Sequence, residues 1–281
     1  MSFPRTSLTL IQRLASGGSE DDWQGFLGDY WGPTCRFSLR WGARGLNDAE
    51  EVASQTFEVL WEKRLLVRWI SNRSAKLRTL ICCVVRNILS DRHRTQAGRD
   101  RLARDLARRA DELNERTEGR ADAFYAAWVE DLLQRSVEAI AADYCRESKD
   151  DYVRVLYGRL CERLTIAEVA DALTLKPATV VNYFRHARQR LAEKLEQMVR
   201  MQIHRYCLSE EAESEFGLEW QQLGEYLAEH GGLEEAVRNA YELLDPVRVT
   251  KHQKAGLSKA ATRLTATIRA SSGETPSSGR P

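Results

Sequence analysis

The chain has 281 residues, and its 42 lysines and arginines nearly balance its 41 aspartates and glutamates. A hydrophobic fraction of 43% argues against a wholly disordered chain, and no run of about 18 apolar residues is present to span a membrane. The six cysteines are scattered, and Cys82 adjoins Cys83, which favours a reduced compartment over a disulfide framework. We therefore expect a cytoplasmic protein with no membrane insertion.

Charge is strongly segregated along the chain. Residues 86–109 carry eight arginines against three aspartates, and residues 176–200 carry six basic residues against two glutamates. Residues 205–245 reverse the sign, with two arginines and eleven acidic residues. Two basic blocks separated by a neutral stretch suggest that the chain contacts a polyanion at two places, although solvated helix faces give the same pattern.

The predicted elements are all helices, because prolines are rare and apolar residues recur at helical spacing. The first two helices are expected at 8–14 and 23–40. A third has one apolar stripe, formed by Ala49, Val52, Ala53, Thr56, Val59 and Leu60. After a connector at 63–76, a fourth has another stripe, formed by Leu77, Leu80, Ile81, Val84, Val85 and Ile88. Together these segments can bury one bundle core.

The predicted organisation is two helical domains joined by a polar linker, followed by an extension. Residues 1–95 form the first domain. The arginine- and acid-rich segment 96–127 is the linker, and its composition fits either a tether or an exposed helix. Residues 128–201 form the second domain, 202–270 an acidic helical extension, and 271–281 a disordered tail rich in serine, glycine and proline.

The most specific local pattern is a helix-turn-helix at 164–191. Thr165 and Glu168 have the spacing of a capping box, and Pro177 fits the first position of a second helix. That helix has an apolar face and an opposite polar, basic face, a geometry that suits the major groove of DNA. The candidate DNA contacts are Lys176, Thr179, Asn182, Tyr183, Arg185, His186, Arg188 and Gln189. Arginine can pair with guanine and asparagine with adenine, so Arg185, Arg188 and Asn182 are the candidate base readers. An ordinary helix pair with solvated arginines has the same pattern.

Three segments of the chain resemble the extracytoplasmic-function (ECF) group of bacterial RNA polymerase sigma factors. Residues 48–61, DAEEVASQTFEVLW, are similar to a helix of the family's region 2. Residues 77–94, with VRNILSD at 85–91, resemble the next helices of the same region. The helix-turn-helix at 164–191 resembles the family's region 4. The first domain would thus be region 2 and the second region 4.

The resemblance implies a role for each of these segments. In the family, region 2 docks on core polymerase and melts the −10 promoter element, and region 4 reads the −35 element. The residues implied in docking are Asp48, Glu51, Gln55, Glu58 and Glu62, an acidic stripe. Those implied at the −10 element are Asn72, Arg73, Ser74, Lys76, Arg78, Arg86, Asn87, Arg92 and Arg94. The −35 contacts would be those of the helix-turn-helix.

The chain also departs from the family pattern. Ser54 and Gln55 replace the usual Gln-Glu pair, which lowers the charge of that helix. Lys176 stands where the family has a capping serine, and residues 181–183, VNY, replace Lys-Ser-Arg. We therefore expect weaker phosphate attraction and an unusual −35 sequence.

The leading hypothesis is an ECF-type sigma factor with no catalytic residue, metal or cofactor. Its expected partners are core RNA polymerase and promoter DNA, with an anti-sigma factor or another regulator as a further candidate. The alternative is a helix-turn-helix regulator that works without polymerase. An enzyme is disfavoured, because the sequence lacks a HExxH pair, a Cys-x-x-Cys pair, a Walker-type loop and a GxSxG elbow. The acidic extension is expected to regulate, by folding back on a basic face or receiving a partner, or else only to stabilise region 4.

Overall fold

A computed structural model of the chain describes residues 9–71, 76–95, 118–160, 162–207 and 210–242, and for 93–95, 118–121 and 242 it describes the backbone only. Over these ranges the secondary structure comprises eleven helices and no strand, which confirms the predicted all-α fold class. The helices are α1 (Leu10–Ala15), α2 (Glu20–Arg40), α3 (Leu46–Glu62), α4 (Leu65–Ser71), α5 (Leu77–Thr95), α6 (Glu118–Arg146), α7 (Asp150–Leu160), α8 (Ile166–Leu173), α9 (Pro177–Tyr206), α10 (Ala212–Glu229) and α11 (Gly232–Glu242). None of the described helices is both long and apolar enough to cross a membrane.

The chain divides between Trp128 and Val129 into two compact units. The first unit contains α1 to α5 and the opening turns of α6. The second contains the rest of α6 and the helices α7 to α11. Each unit has its own hydrophobic core, and each is described here by itself.

The first unit is built around aromatic contacts between α2 and α3. Trp23 meets Trp61 with ring centroids 5.3 Å apart, and Phe26 meets Phe57 at 5.7 Å. The predicted stripe of α3 is buried except for Val59, which is half-buried, and Phe57 joins it as a core residue that the stripe had omitted. On α5 the buried members of the predicted stripe are Leu77, Ile81, Val84 and Val85. Full burial of one such side chain contributes about 1.5–3 kcal/mol.

Two segments of this unit that were predicted as connections contain helix. The connector at 63–76 contains α4, in which Leu66 is buried and Trp69 is half-buried. The segment predicted as linker, 96–127, contains the start of α6. Within it Phe124 is fully buried, and its ring lies 5.3 Å from that of Phe37. The described part of α6 therefore starts before the predicted second domain at 128. The domain boundaries themselves stay predictions.

The second unit is organised by α9, a continuous helix of 30 residues. It contacts α7, α8 and α10, while α11 contacts α7 and α10. The buried face of α9 consists of Val180, Ala187, Leu191, Leu195, Val199 and Gln202. Because this stripe continues past residue 201, the predicted boundary between the second domain and the extension lies inside a helix. The extension supplies α10 and α11, in which Leu223, Ala236, Val237 and Ala240 are buried.

Candidate nucleic-acid interface

The predicted helix-turn-helix is formed by α8, α9 and the turn between them. At the start of α8, the Thr165 hydroxyl accepts from the Glu168 backbone N–H at 3.2 Å, and the Thr165 N–H donates to the Glu168 carboxylate at 2.7 Å. These two bonds complete the predicted capping box. The backbone N–H of Thr165 lowers the pKa of the Glu168 carboxyl, since it favours the charged form.

A tight turn separates the two helices. Thr174 adopts the left-handed conformation, with φ of 55°, and the N–H of Leu175 donates to the carbonyl of Ala170 at 2.9 Å. Pro177 then begins α9, where its missing N–H costs no helical hydrogen bond. Lys176 is the N-cap residue and its side chain makes no capping hydrogen bond, in line with the departure noted in the sequence.

A small hydrophobic cluster fixes the orientation of α9 relative to α8. Its buried members are Val155, Val169, Ala170 and Val180. Six residues pack against them in partly buried positions, namely Leu164, Ile166, Leu173, Leu175, Tyr183 and Phe184. Gly158 lets α7 approach α8 closely, because a Cβ at this position would lie 3.2 Å from a methyl group of Val169. The predicted inward face of α9 is thus buried or half-buried, and its opposite face is left to solvent.

The outer face of α9 carries the predicted DNA contacts. Exposed among them are Lys176, Asn182, Arg185, His186, Arg188 and Gln189. Thr179 and Tyr183 are half-buried. The amide oxygen of Asn182 accepts from the Arg185 guanidinium at 3.3 Å, so these two candidate readers form a pair on the surface. Gln189 donates to Glu193 one turn further along, at 3.0 Å.

Two of the predicted contacts, Tyr183 and His186, also anchor α9 to its own unit. The Tyr183 ring stacks on Tyr152 of α7 with centroids 4.1 Å apart. Nδ1 of His186 lies 2.9 Å from the hydroxyl of Tyr144, which is fully buried in α6. Burial raises the pKa of Tyr144, so the hydroxyl stays neutral and available for this hydrogen bond. A role for either residue in DNA binding remains a prediction, and the structure adds a packing role.

Part of the basic charge of α9 is neutralised inside the unit. Arg190 bonds through two nitrogens to the Glu147 carboxylate, and its guanidinium lies 4.6 Å from the centroid of the Tyr144 ring. The Arg190 and Lys149 side chains lower the pKa of Glu147 to about 2. Lys194 lies 3.5 Å from Asp143. The sequence did not reveal these pairs, because the acids lie on α6 or just beyond its end, more than forty residues from their partners on α9.

Arg188 has a partner from the acidic extension. Its Nε lies 3.4 Å from a carboxylate oxygen of Glu234 in α11. The Arg188 side chain is 60% exposed and that of Glu234 is 34% exposed, so the pair is open to solvent. A predicted DNA contact is therefore already close to a protein carboxylate.

In the first unit, the structure separates the predicted −10 residues into different environments. The Arg78 guanidinium lies over the rings of Tyr125 and Trp128, at 4.5 and 6.0 Å from their centroids. Asn87 and Lys76 are exposed, whereas Arg86 is half-buried. The predictions for Asn72, Arg73 and Ser74, and for the side chain of Arg94, lie outside the described residues.

One predicted −10 residue is joined to a predicted docking residue. Arg92 of α5 forms an ion pair with Asp48 of α3. The other oxygen of Asp48 accepts from the backbone N–H of Arg44 at 2.7 Å. These bonds tie the start of α3 to α5, which gives Asp48 and Arg92 a structural part within the unit.

The other predicted docking residues lie along one side of α3. Glu51 and Glu62 are exposed, and Gln55 and Glu58 are half-buried. Gln55 donates to Glu51 at 3.1 Å, and the Ser54 hydroxyl donates to Glu58 at 3.1 Å. Because the opposite side of α3 is buried against the core, the structure presents an acidic face away from it, as the sequence predicted.

The described residues contain no group of three histidine, cysteine, aspartate or glutamate side chains that could hold a metal ion. No protein-family model matches the chain, and no curated protein or solved structure matches it significantly. The resemblance to sigma factors therefore rests on the three sequence segments at 48–61, 77–94 and 164–191, and it stays a prediction.

Proposed function

We propose that the chain is an ECF-type sigma factor, which binds core RNA polymerase in the cytoplasm, recognises −10 and −35 promoter elements and directs transcription initiation. The single observation that carries the proposal is the exposed polar row of α9, held outward by the hydrophobic cluster of the helix-turn-helix. The protein contributes no catalytic residue in this role.

The outer face of α9 has the chemistry needed to read a −35 duplex. Arg185 can donate two parallel hydrogen bonds to guanine, and Asn182 can bond to adenine. Lys176 stands at the N-terminus of the same helix, the end that enters the major groove in helix-turn-helix proteins. The proposal therefore gives Arg185 and Asn182 the sequence reading and gives Lys176 a phosphate contact.

The first unit supplies the two other activities that a sigma factor needs. The acidic face of α3 would dock on a basic surface of core polymerase, where charge complementarity speeds association and fixes the register. Asn87, exposed on α5, would contact an unpaired base of the melted −10 element.

Transcription in vitro tests the whole proposal. Core polymerase mixed with the chain should start RNA synthesis at defined positions on genomic DNA, and the mapped starts should share two upstream sequence elements. A mixture that initiates nowhere above the level of core polymerase alone would contradict the proposal. Co-purification with core polymerase separates it from the alternative, because a regulator that works without polymerase would not be retained.

The docking face has a matched test. Glu51→Lys reverses an exposed charge on α3 and should weaken binding to core polymerase, with the largest loss at low salt. Asp21→Lys makes the same change at an exposed position of α2 and should leave the affinity nearly unchanged. Equal effects of the two variants on the affinity for core polymerase would mean that net charge, rather than this face, governs binding.

A further inference from the structure

The two described helices of the acidic extension, α10 and α11, pack within the second unit, and this fixes where their charges lie. Tyr241 of α11 meets Tyr157 of α7 edge to face, with ring centroids 6.1 Å apart and planes at 89°. Val237 is fully buried on the same helix. At the other end of the extension's hairpin, Arg200 of α9 bonds to Glu213 at 2.8 Å and lies 3.9 Å from the centroid of the Phe216 ring. We call α10 and α11 together the acidic hairpin.

The turn of the acidic hairpin determines where α11 begins. Gly231 and Gly232 have φ values of 81° and 88°, which residues with a Cβ rarely adopt. At Gly231 a Cβ would lie 3.0 Å from the side chain of Glu235, so the turn is also tight. The first turn of α11 carries two carboxylates, those of Glu234 and Glu235. Of these, Glu235 pairs with Arg238 of its own helix, whereas Glu234 reaches Arg188 of α9.

The contact between Glu234 and Arg188 sets a protein carboxylate against a predicted DNA contact. A phosphate that approached Arg188 would meet a negative charge already 3.4 Å from the guanidinium. Unit charges on a surface act over about 8–10 Å at moderate salt, so the repulsion would extend to neighbouring phosphates. An exposed ion pair contributes little free energy, so a DNA phosphate could replace Glu234 as the partner of Arg188.

We propose that the acidic hairpin is an electrostatic brake on DNA binding, in which Glu234 competes with the DNA backbone for Arg188. The inference rests on the proposed function, because it takes α9 as the DNA-reading helix. The brake lowers the affinity of the chain for DNA in general. In a promoter complex, the binding free energy from Arg185, Asn182 and core polymerase must therefore exceed the cost of breaking the contact between Glu234 and Arg188.

A substitution that removes the charge of Glu234 and keeps the size of the side chain tests the brake without removing the hairpin. Fluorescence anisotropy of a fluorescein-labelled duplex of mixed sequence reports the affinity of the full chain. Glu234→Gln should tighten binding by roughly two- to fivefold at low salt, as expected for releasing one exposed pair. The gain in affinity should shrink as salt rises, because screening weakens the repulsion between the Glu234 carboxylate and the DNA phosphates.

Two further variants control for net charge and for the partner. Glu229→Gln removes one negative charge from an exposed position at the end of α10, so any effect of total charge appears there as well. In an Arg188→Gln background, Glu234→Gln should lose most of its effect. Equal gains from Glu234→Gln and Glu229→Gln would overturn the brake. Weaker binding by Glu234→Gln would also overturn it, because the carboxylate would then be positioning Arg188.

The outcome can be separated from the fate of the proposed function. If neither the wild-type chain nor the Glu234→Gln variant bound the duplex, the brake would be overturned, whereas transcription with core polymerase would still judge the sigma-factor role. If Glu234→Gln bound the duplex more tightly but no transcription occurred, the brake would be supported and the sigma-factor role would not. The chain would then be a DNA-binding protein of another kind.

Discussion

Single ion pairs decide how much positive charge the helix-turn-helix presents on its outer face. Among the basic residues of 176–200, Arg190, Lys194 and Arg200 are paired with acids of α6, its C-terminal end or α10. The other three, Lys176, Arg185 and Arg188, are exposed near the outer face of α9, and Arg188 is itself paired with Glu234 of α11. Net charge along the sequence therefore overstates the positive potential at the outer face of α9. Under the proposed function, sequence specificity would come from hydrogen bonds to bases rather than from phosphate attraction.

The pair between Glu147 and Arg190 leads to a prediction about pH. Because Arg190 and Lys149 hold the pKa of Glu147 at about 2, below its ordinary 4.5, the folded state binds the Glu147 proton less readily than the unfolded state. The pair's contribution to stability is complete above 4.5 and is lost as the pH falls towards 2. Urea unfolding from neutral to acidic pH should show a stability difference between wild type and Glu147→Gln that narrows across this window.

The control for this prediction removes the cause of the pKa shift. In an Arg190→Met background, Glu147→Gln should change the pH dependence of stability much less than it does in the wild-type chain, because only Lys149 is left beside the carboxylate. High salt should likewise reduce the difference, since the pair is partly exposed. A pH profile that is the same in both backgrounds would show that Arg190 does not hold the carboxylate in its charged form.

At the scale of helices, periodicity predicted the buried faces well and the ends of the helices less well. On α3 and α9 the predicted stripes are buried or half-buried, because a side chain's place on a helix follows from spacing alone. Phe124 was assigned to the linker, because residues 96–125 contain few large apolar groups before it. Its burial depends on Phe37, 87 positions earlier, and spacing within one segment carries no such information.

The acidic hairpin leads to a prediction about stability. Leu223 of α10 is 1% exposed, whereas Leu218 on the same helix is 58% exposed. Leu223→Ala should destabilise the second unit by about 2–5 kcal/mol, because it removes transfer energy and leaves a cavity. Leu218→Ala should change stability by less than about 0.5 kcal/mol. Urea unfolding followed by tryptophan fluorescence measures both, since Trp220 stacks on Phe216 within α10.

This comparison also decides whether the hairpin is an integral part of the unit. A large effect of Leu223→Ala in a single transition would show that α10 unfolds together with the rest of the second unit. A small effect, equal to that of Leu218→Ala, would show that α10 is an appendage whose loss leaves α9 in place.

At the scale of the whole molecule, the sequence predicted the all-α fold class but not the ion pairs between helices. The bond between Arg92 and Asp48 spans 44 positions, and that between Arg190 and Glu147 spans 43. Charged residues on a surface have many possible partners, and only the packing of helices selects one. The polar outer face of α9 was therefore predictable from local patterns, whereas the acids that pair with its basic residues were not.

The proposed function predicts that substitutions in the two units cause different defects at a promoter. In a complex with core polymerase, Arg185→Ala should weaken binding by about 1–3 kcal/mol if Arg185 reads a base, with the loss confined to promoters that carry the preferred −35 base. Asn87→Ala should leave −35 protection intact and reduce strand opening. Footprinting reports the first effect, and the permanganate reactivity of unpaired thymines reports the second.

Matched controls lie on the same two helices. Arg205→Ala removes an exposed arginine of α9 about 30 Å along the axis from Arg185, and should leave −35 protection unchanged. Ser90→Ala alters another exposed side chain of α5 and should leave strand opening unchanged. If Arg185→Ala weakened binding equally on every sequence, Arg185 would be a phosphate contact. In a sigma factor, promoter binding and strand opening depend on different contacts. If Asn87→Ala and Arg185→Ala gave the same defect, the two units could not have these separate roles.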